Sequence, residues 1–185
     1  MRIKRSVLVG LFVAVLAPLA ALALIKPWRV AVPQIVSGVH CYEDRICTDN
    51  EQRLGEARAL YSAAFGRISE KLGAFHSHPR VIFCSAVPCQ KGFGLGNRAA
   101  YTVGDFAIAV APRGWQAFCL AHELIHYRQA EEFGSIGMRW KPRWLIEGMA
   151  YSLSDDPRRP LAQPFESWRA QFERWNTPSH RADLW

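Results

Sequence analysis

The 185-residue sequence lacks the features that would assign it to several common classes of protein. It contains no internal repeat and no low-complexity segment, so a solenoid or a disordered chain is not expected. No nucleic-acid-binding motif accompanies its basic residues. The glycines between Lys91 and Asn97 have no Walker lysine and no following Rossmann unit. We therefore predict a hairpin or a mobile loop there rather than a phosphate-binding loop.

Acidic residues are fewer than basic ones, at 16 Asp and Glu against 23 Lys and Arg, and the formal net charge is +7. Setting aside the three N-terminal basic residues Arg2, Lys4 and Arg5 lowers this charge to +4, a mild bias. Two groups of basic residues lie before and after residues 144–150, a segment with a helical pattern, and they could favour acidic substrates or lipid headgroups. A solvated surface is the simpler interpretation. These residues are Arg139, Lys141, Arg143, Arg158 and Arg159.

Charge is absent from nineteen consecutive residues, Val7 to Ile25. As a helix this run would be about 28 Å long, close to the roughly 30 Å of bilayer hydrocarbon. With the basic residues before it, residues 1–25 are predicted to be an uncleaved signal anchor. A cleaved signal peptide is the alternative, because Ala21-Leu22-Ala23 resembles a cleavage site. Both alternatives place the following domain outside the cytoplasm, on the periplasmic side in a bacterium. A lipoprotein anchor is not expected, because no cysteine lies at the end of the apolar run.

The five cysteines agree with an exported domain. Cys41 and Cys47 bracket a short polar turn, and Cys84 and Cys89 bracket another short segment, so each pair could close a small disulfide loop. Crossed pairings and free thiols remain open. Cys119 has no obvious partner and is predicted to be an inert buried thiol.

The segment His122-Glu123-Leu124-Ile125-His126 carries the most specific pattern. On a helix, residues i and i+4 share a face, so both imidazoles can bind one Zn²⁺. Glu123 lies about 100° further round and can contact a water held by that metal. We place this apolar helix at about 115–133, with Gly134 as its stop. Its buried His and Glu side chains need partners, which favours a metal site over an ordinary amphipathic helix.

Glu147 is the best candidate for a third ligand, because a catalytic zinc site uses three protein ligands and one water. It lies in a second predicted helix around 144–150, with Pro142 in the first turn. Gly148 is unfavourable inside a helix by about 1 kcal/mol relative to Ala, so we expect it to let this helix approach the first one closely. An incidental surface glutamate is the alternative.

The pair of segments HELIH and WLIEGMA, with twenty residues between His126 and Glu147, resembles the gluzincin branch of the zincin-like metallopeptidases. The resemblance covers roughly residues 100 to 155. It implies one Zn²⁺ per chain, held by His122, His126 and Glu147, with Glu123 as the general base. The thermolysin-like group has an acidic residue four positions after its glutamate ligand, where this chain has Tyr151. The group that would orient a ligand imidazole is therefore not identified.

The remaining pattern, with the resemblance, predicts an α+β fold: a short antiparallel or mixed sheet, an active-site helix and a second ligand helix. Residues 26–50 are predicted to be an extended lead-in, and residues 51–185 the zincin-like domain. Within the domain we expect a helix at 51–73, strands at 80–84 and 100–111, and an aromatic-striped helix at 164–175. The resemblance implies that the 100–111 strand is an edge able to pair with an extended substrate, and a paired interior strand is the alternative.

The expected function is an exported zinc-dependent peptide-bond hydrolase, most simply an endopeptidase, acting on a peptide or protein substrate and held at the membrane by its N-terminal helix. A zinc amidase acting on cell-wall peptides and a non-catalytic zincin-like binding module at the membrane are the alternatives. No nucleic-acid partner is expected, and the oligomeric state stays open. Candidates for a second donor to the developing oxyanion are Tyr127, Arg143, Tyr151 and His180.

Overall fold

The computed structural model of the protein describes residues 26–181 and 184–185. The predicted signal anchor or signal peptide at residues 1–25 therefore lies outside the described residues. In the part that is described, no helix combines the length and the apolar character needed to cross a membrane.

Seven α-helices and five strands form the described chain. The helices are α1 (Lys26–Ala31), α2 (Leu54–Leu72), α3 (Val87–Gly92), α4 (Ala117–Gly137), α5 (Arg143–Leu153), α6 (Phe165–Trp175) and α7 (Pro178–Arg181). The strands are β1 (His40–Cys41), β2 (Ile46–Thr48), β3 (Arg80–Phe83), β4 (Ala100–Val103) and β5 (Ala107–Val110). Short 3-10 turns cover Pro33–Ile35, Glu51–Arg53, Pro112–Gly114 and Met138–Trp140.

The strands form one mixed sheet in the order β1-β2-β3-β5-β4. The three central strands β2, β3 and β5 run parallel, and the outer strands β1 and β4 are each antiparallel to their neighbours. The prediction of an α+β fold with a short mixed sheet is confirmed at this level. The predicted helices at 51–73 and 164–175 are also present, whereas α3 was not predicted.

Residues 26–50 differ from the predicted extended lead-in. They form α1 and a 3-10 turn, and then β1 and β2, which join the sheet through the pairing of β2 with β3. Both strands are only two or three residues long, too short to show an alternating pattern. The sheet therefore begins before residue 51.

The segment 100–111 is a hairpin rather than the single predicted strand. Gly104 has a φ of +52°, which turns the chain between β4 and β5. The two strands pair antiparallel, with Tyr101 opposite Ala109 and Thr102 opposite Ile108. The strand that leads towards α4 is thus the interior strand β5, and the edge is β4.

Each face of the sheet packs against its own set of helices, because successive side chains of a strand point to opposite faces. Val81 and Phe83 of β3 belong to a large core with α2 and α4. Ile82 belongs to a smaller core on the other face, which includes Val30 of α1 and Cys89 of α3. The helix α4 is thereby fixed on one face of the sheet by Leu120, Ala121, Leu124 and Ile125, which are all buried.

Both predicted short disulfide loops are present. Cys41 is bonded to Cys47, and Cys84 is bonded to Cys89. These two bonds indicate an oxidising, extracytoplasmic environment. Cys119 is free and half-buried, and burial raises the pKa of its thiol to about 11, which agrees with an unreactive thiol.

Gly148 packs against a different helix from the one expected. A Cβ atom on this residue would meet the Trp168 carbonyl of α6 and would lie 3.0 Å from the Cβ atom of Phe172. The small residue therefore brings α5 against α6, and the expectation that it faces the metal helix is wrong. Gly134 has non-helical backbone angles, φ +71° and ψ +152°, so the helix that carries His122 and His126 is interrupted there, as its predicted stop required, and a short second helical segment follows up to Gly137.

We expect Gly148→Ala to lower the free energy of unfolding by about 1 to 3 kcal/mol, because the added methyl group meets the backbone of α6. Gly66→Ala is the matched control, since Gly66 is an exposed glycine inside α2 with nothing within 4 Å of its added Cβ. That change should raise stability by about 0.5 to 1 kcal/mol. Urea unfolding of both variants measures the difference, and equal stability of the two would contradict this packing.

Candidate metal centre

His122, His126 and Glu147 converge at one point between α4 and α5. The two His Nε2 atoms are 3.1 Å apart. Glu147 Oε2 lies 3.7 Å from His122 Nε2 and 3.6 Å from His126 Nε2. One ligand atom from each residue lies within 4.8 Å of the others, so the group could hold a metal ion.

These three separations fit a small tetrahedral cation. With metal-to-ligand bonds of about 2.0 to 2.2 Å, the ligand atoms of a tetrahedral site are roughly 3.3 to 3.6 Å apart. The measured distances of 3.1, 3.6 and 3.7 Å lie close to that range. The donor set of two imidazole nitrogens and one carboxylate oxygen suits a divalent ion of intermediate softness.

Gln129 fixes the orientation of one ligand imidazole. Its Nε2 donates to the backbone carbonyl of Ile146 at 3.0 Å, and its Oε1 lies 2.8 Å from His126 Nδ1. Because a carbonyl can only accept, the amide oxygen must face the imidazole, and His126 Nδ1 must be the donor. The neutral ring then offers Nε2 to a metal. Gln129 is fully buried and connects α4 to the turn of α5 that carries Glu147.

The electrostatics of the group centre on a proton at His126. Burial opposes this charge, but Glu147 and Glu123 raise the pKa of His126 to about 9. Burial and the charge on His126 lower the pKa of His122, which therefore stays neutral and can accept from His126. Burial also opposes the charge on Glu147, yet the two imidazoles keep the pKa of that carboxyl below its ordinary value. A metal ion would take the place of one proton.

Glu123 is buried on the cleft side of α4, with 8% of its surface exposed. Thr102 of the edge strand β4 donates to Glu123 Oε2 at 2.6 Å and lies 2.9 Å from the backbone carbonyl of the same residue. Burial raises the pKa of Glu123, and the Thr102 hydroxyl acts in the opposite direction. The β4 strand therefore holds the proposed base in place.

A cleft of about 1000 Å³ opens over this group, between β4, the start of α4, α5 and the segment after α5. Of the four candidate oxyanion donors, Tyr151 and Arg143 line the cleft. The Tyr151 ring packs edge-on against His122, with ring centroids 4.4 Å apart. Tyr127 and His180 do not line it: the Tyr127 hydroxyl bonds to Ser77, and the His180 ring stacks on Trp175.

Sequence reasoning missed Gln129 and Thr102. Gln129 lies three residues after His126, and this local spacing could have suggested a partner for the imidazole, as such pairs share a helix face. Thr102 had no comparable signal, because its contact with Glu123 depends on the placement of β4 beside α4.

Comparisons with protein families, with curated proteins and with solved structures found no match to this chain. Any assignment of function therefore depends on the geometry of the site.

Gln129→Leu should lower metal affinity by about 10- to 100-fold, because it removes the acceptor that holds His126 Nδ1. Gln90→Leu is the matched control: Gln90 also donates to a backbone carbonyl, that of Gly96, but it lies outside the cleft. Its metal affinity should equal that of the wild type. Competition with a chromophoric chelator gives both values, and equal affinities for the two variants would remove the role given to Gln129.

Metal affinity should rise with pH below the His126 pKa of about 9 and level off above it. Below that pH the metal-free site carries one proton that the metal must displace, so affinity should increase about tenfold per pH unit. Calorimetric titration at about pH 6, 7 and 8, in buffers of different ionisation enthalpy, counts the released protons. An affinity that does not change over this range would contradict a protonated His126.

Proposed function

We propose that this chain is an exported zinc-dependent peptide-bond hydrolase, an endopeptidase of the gluzincin type. The observation that supports it most is the convergence of His122, His126 and Glu147 from two helices, with Glu123 buried beside them on the same cleft. A structural metal site has no need of an adjacent buried carboxylate that is not one of its ligands. The two disulfides support the extracytoplasmic location.

Zinc is the metal we assign, because its usual protein ligands are imidazole, thiolate and carboxylate in tetrahedral arrangement. His122 Nε2, His126 Nε2 and Glu147 Oε2 would hold it. When bound, Zn²⁺ would supply Lewis acidity to the substrate carbonyl and lower the pKa of a water.

Glu123 is the base in this proposal. Thr102 occupies its Oε2, so Oε1 is the atom that takes a proton from the attacking water and returns it to the leaving amine. The raised pKa of Glu123 suits a group that must hold that proton between the two steps. Tyr151 and Arg143 line the cleft as candidate donors to the developing oxyanion.

The edge strand β4 is suited to holding an extended peptide. Among the described strands it pairs with β5 alone, and its residues Ala100, Tyr101 and Thr102 line the cleft. A peptide added to this edge would gain main-chain hydrogen bonds and would pass the metal group. This placement favours cleavage within an extended chain.

We expect Glu123→Gln to keep about one zinc per chain and to lose hydrolysis by roughly 100-fold or more, because the variant retains the ligands but not the base. Glu132→Gln, on the same helix but outside the cleft, should retain both zinc and activity. Metal analysis and cleavage of a peptide library measure the two properties. Well-folded wild type that binds no zinc, or undiminished hydrolysis by the Glu123 variant, would disprove the proposal.

A further inference from the structure

Among the residues that the structure describes, four arginines line the cleft, and the acidic residues that line it are Glu123 and Glu147, which the proposed chemistry already uses. The arginines are Arg98, Arg113, Arg143 and Arg158. Arg158 forms a bidentate pair with Asp156, which offsets its charge. Arg143 lies one helical turn before Glu147 and lowers the pKa of that carboxyl, so its charge acts on the metal group. Arg98 and Arg113 lie on the β4 side of the cleft, and the charge of Arg98 also acts on Glu123, whose pKa it lowers.

Neither Arg98 nor Arg113 has a side-chain hydrogen bond, an ion pair or a ring contact with any residue that the structure describes. Most arginines of this part of the chain do have such partners, for example Arg53 with Glu56, Arg58 with Asp44 and Arg169 with Glu166. Both Arg98 and Arg113 are exposed, so their guanidinium groups are available to a ligand.

The backbone brings these two residues to the same end of the cleft. The Ala111 amide donates to the Ala99 carbonyl at 2.8 Å, next to the pairing of Ala100 with Val110. Arg98 precedes this bridge by one residue, and Arg113 follows it by two. Both therefore lie near the start of β4, and Arg98 is four residues before Thr102, which contacts Glu123.

We infer that the cleft binds peptides with an acidic side chain on one side of the scissile bond, and that Arg98 and Arg113 recognise its carboxylate. This inference rests on the proposed hydrolase function and adds its substrate class. A peptide lying along β4 would place a side chain at the start of that strand while its carbonyl faces the metal group. Guanidinium groups bind carboxylates in planar, bidentate geometry, which favours Asp or Glu there.

The test uses full-length zinc-loaded Glu123→Gln protein, so that binding is measured without turnover. Its probes are short peptides with blocked ends, in which Glu or Gln occupies each position in turn. We expect one position at which the Glu peptide binds about tenfold more tightly than the Gln peptide at low salt, which is about the effect of two exposed ion pairs. The ratio should be smaller at about 0.5 M salt, because salt screens exposed charges. Arg98→Gln with Arg113→Gln should reduce the ratio to about one.

Arg174→Gln is the matched control, because Arg174 is also exposed and without a partner among the described residues but lies on α6 outside the cleft. It should keep the full ratio. A ratio near one in the Glu123→Gln protein, or a ratio that persists when Arg98→Gln and Arg113→Gln are added to it, would overturn the inference.

Two further experiments distinguish an acidic side chain from a C-terminal carboxylate and from an anionic membrane surface. Peptides with a free or an amidated C-terminus test the terminal carboxylate, and a preference confined to the free terminus would overturn the assignment to an acidic side chain. Phosphatidylglycerol vesicles test a membrane role for the two arginines. If Arg98→Gln with Arg113→Gln abolishes vesicle binding but leaves the preference for Glu peptides unchanged, the assignment to an acidic side chain is also overturned. If the Glu preference is found but wild type cleaves no peptide, the substrate class stands and the proposed hydrolysis fails.

Discussion

The close approach of two imidazole nitrogens, 3.1 Å apart inside a largely buried group, is the constraint on which the rest of the site depends. Two lone pairs cannot face each other at that distance without a cation between or beside them. When no metal is bound, a proton on His126, whose pKa Glu147 and Glu123 raise, would satisfy this requirement with Glu147 as its counter-charge. The same three atoms lie at distances that suit a tetrahedral metal, so one arrangement serves both a proton and a divalent ion.

The packing of three helices holds this arrangement. The apolar side of α4 is fixed on the sheet, which leaves His122 and His126 to face α5. Gly148 allows α5 to lie against α6, and Gln129 joins α4 to the carbonyl of Ile146, directly before Glu147. A shift of α5 would therefore move the carboxylate and break the hydrogen bond that orients His126. The position of Glu147 and the orientation of His126 are therefore coupled through the side-chain amide of Gln129.

The features that could be predicted from the sequence are the local ones. The HELIH spacing, α2 and both small disulfide loops depend on residues close together in the chain, and each was placed correctly.

The two-residue and three-residue strands β1 and β2 carry no periodic signal, and the turn at Gly104 was hidden inside an apolar run. The role of Thr102 and the juxtaposition of Arg98 and Arg113 arise only when β4 pairs with β5. Gly148 was recognised as a packing residue, but only the folded chain shows that its neighbour is α6.

The arrangement of charges supports the proposal of a catalytic rather than a structural metal site. A structural zinc site is usually closed by four protein ligands. Among the described residues, the group that could hold a metal contains three, and it faces a cleft of about 1000 Å³. A buried carboxylate beside it is unfavourable unless it is compensated, and Thr102 provides one hydrogen bond to one oxygen only. Glu123 thus keeps a second oxygen, Oε1, that has no hydrogen-bond partner among the described residues. A site selected for stability alone would have no reason to keep that oxygen unpaired.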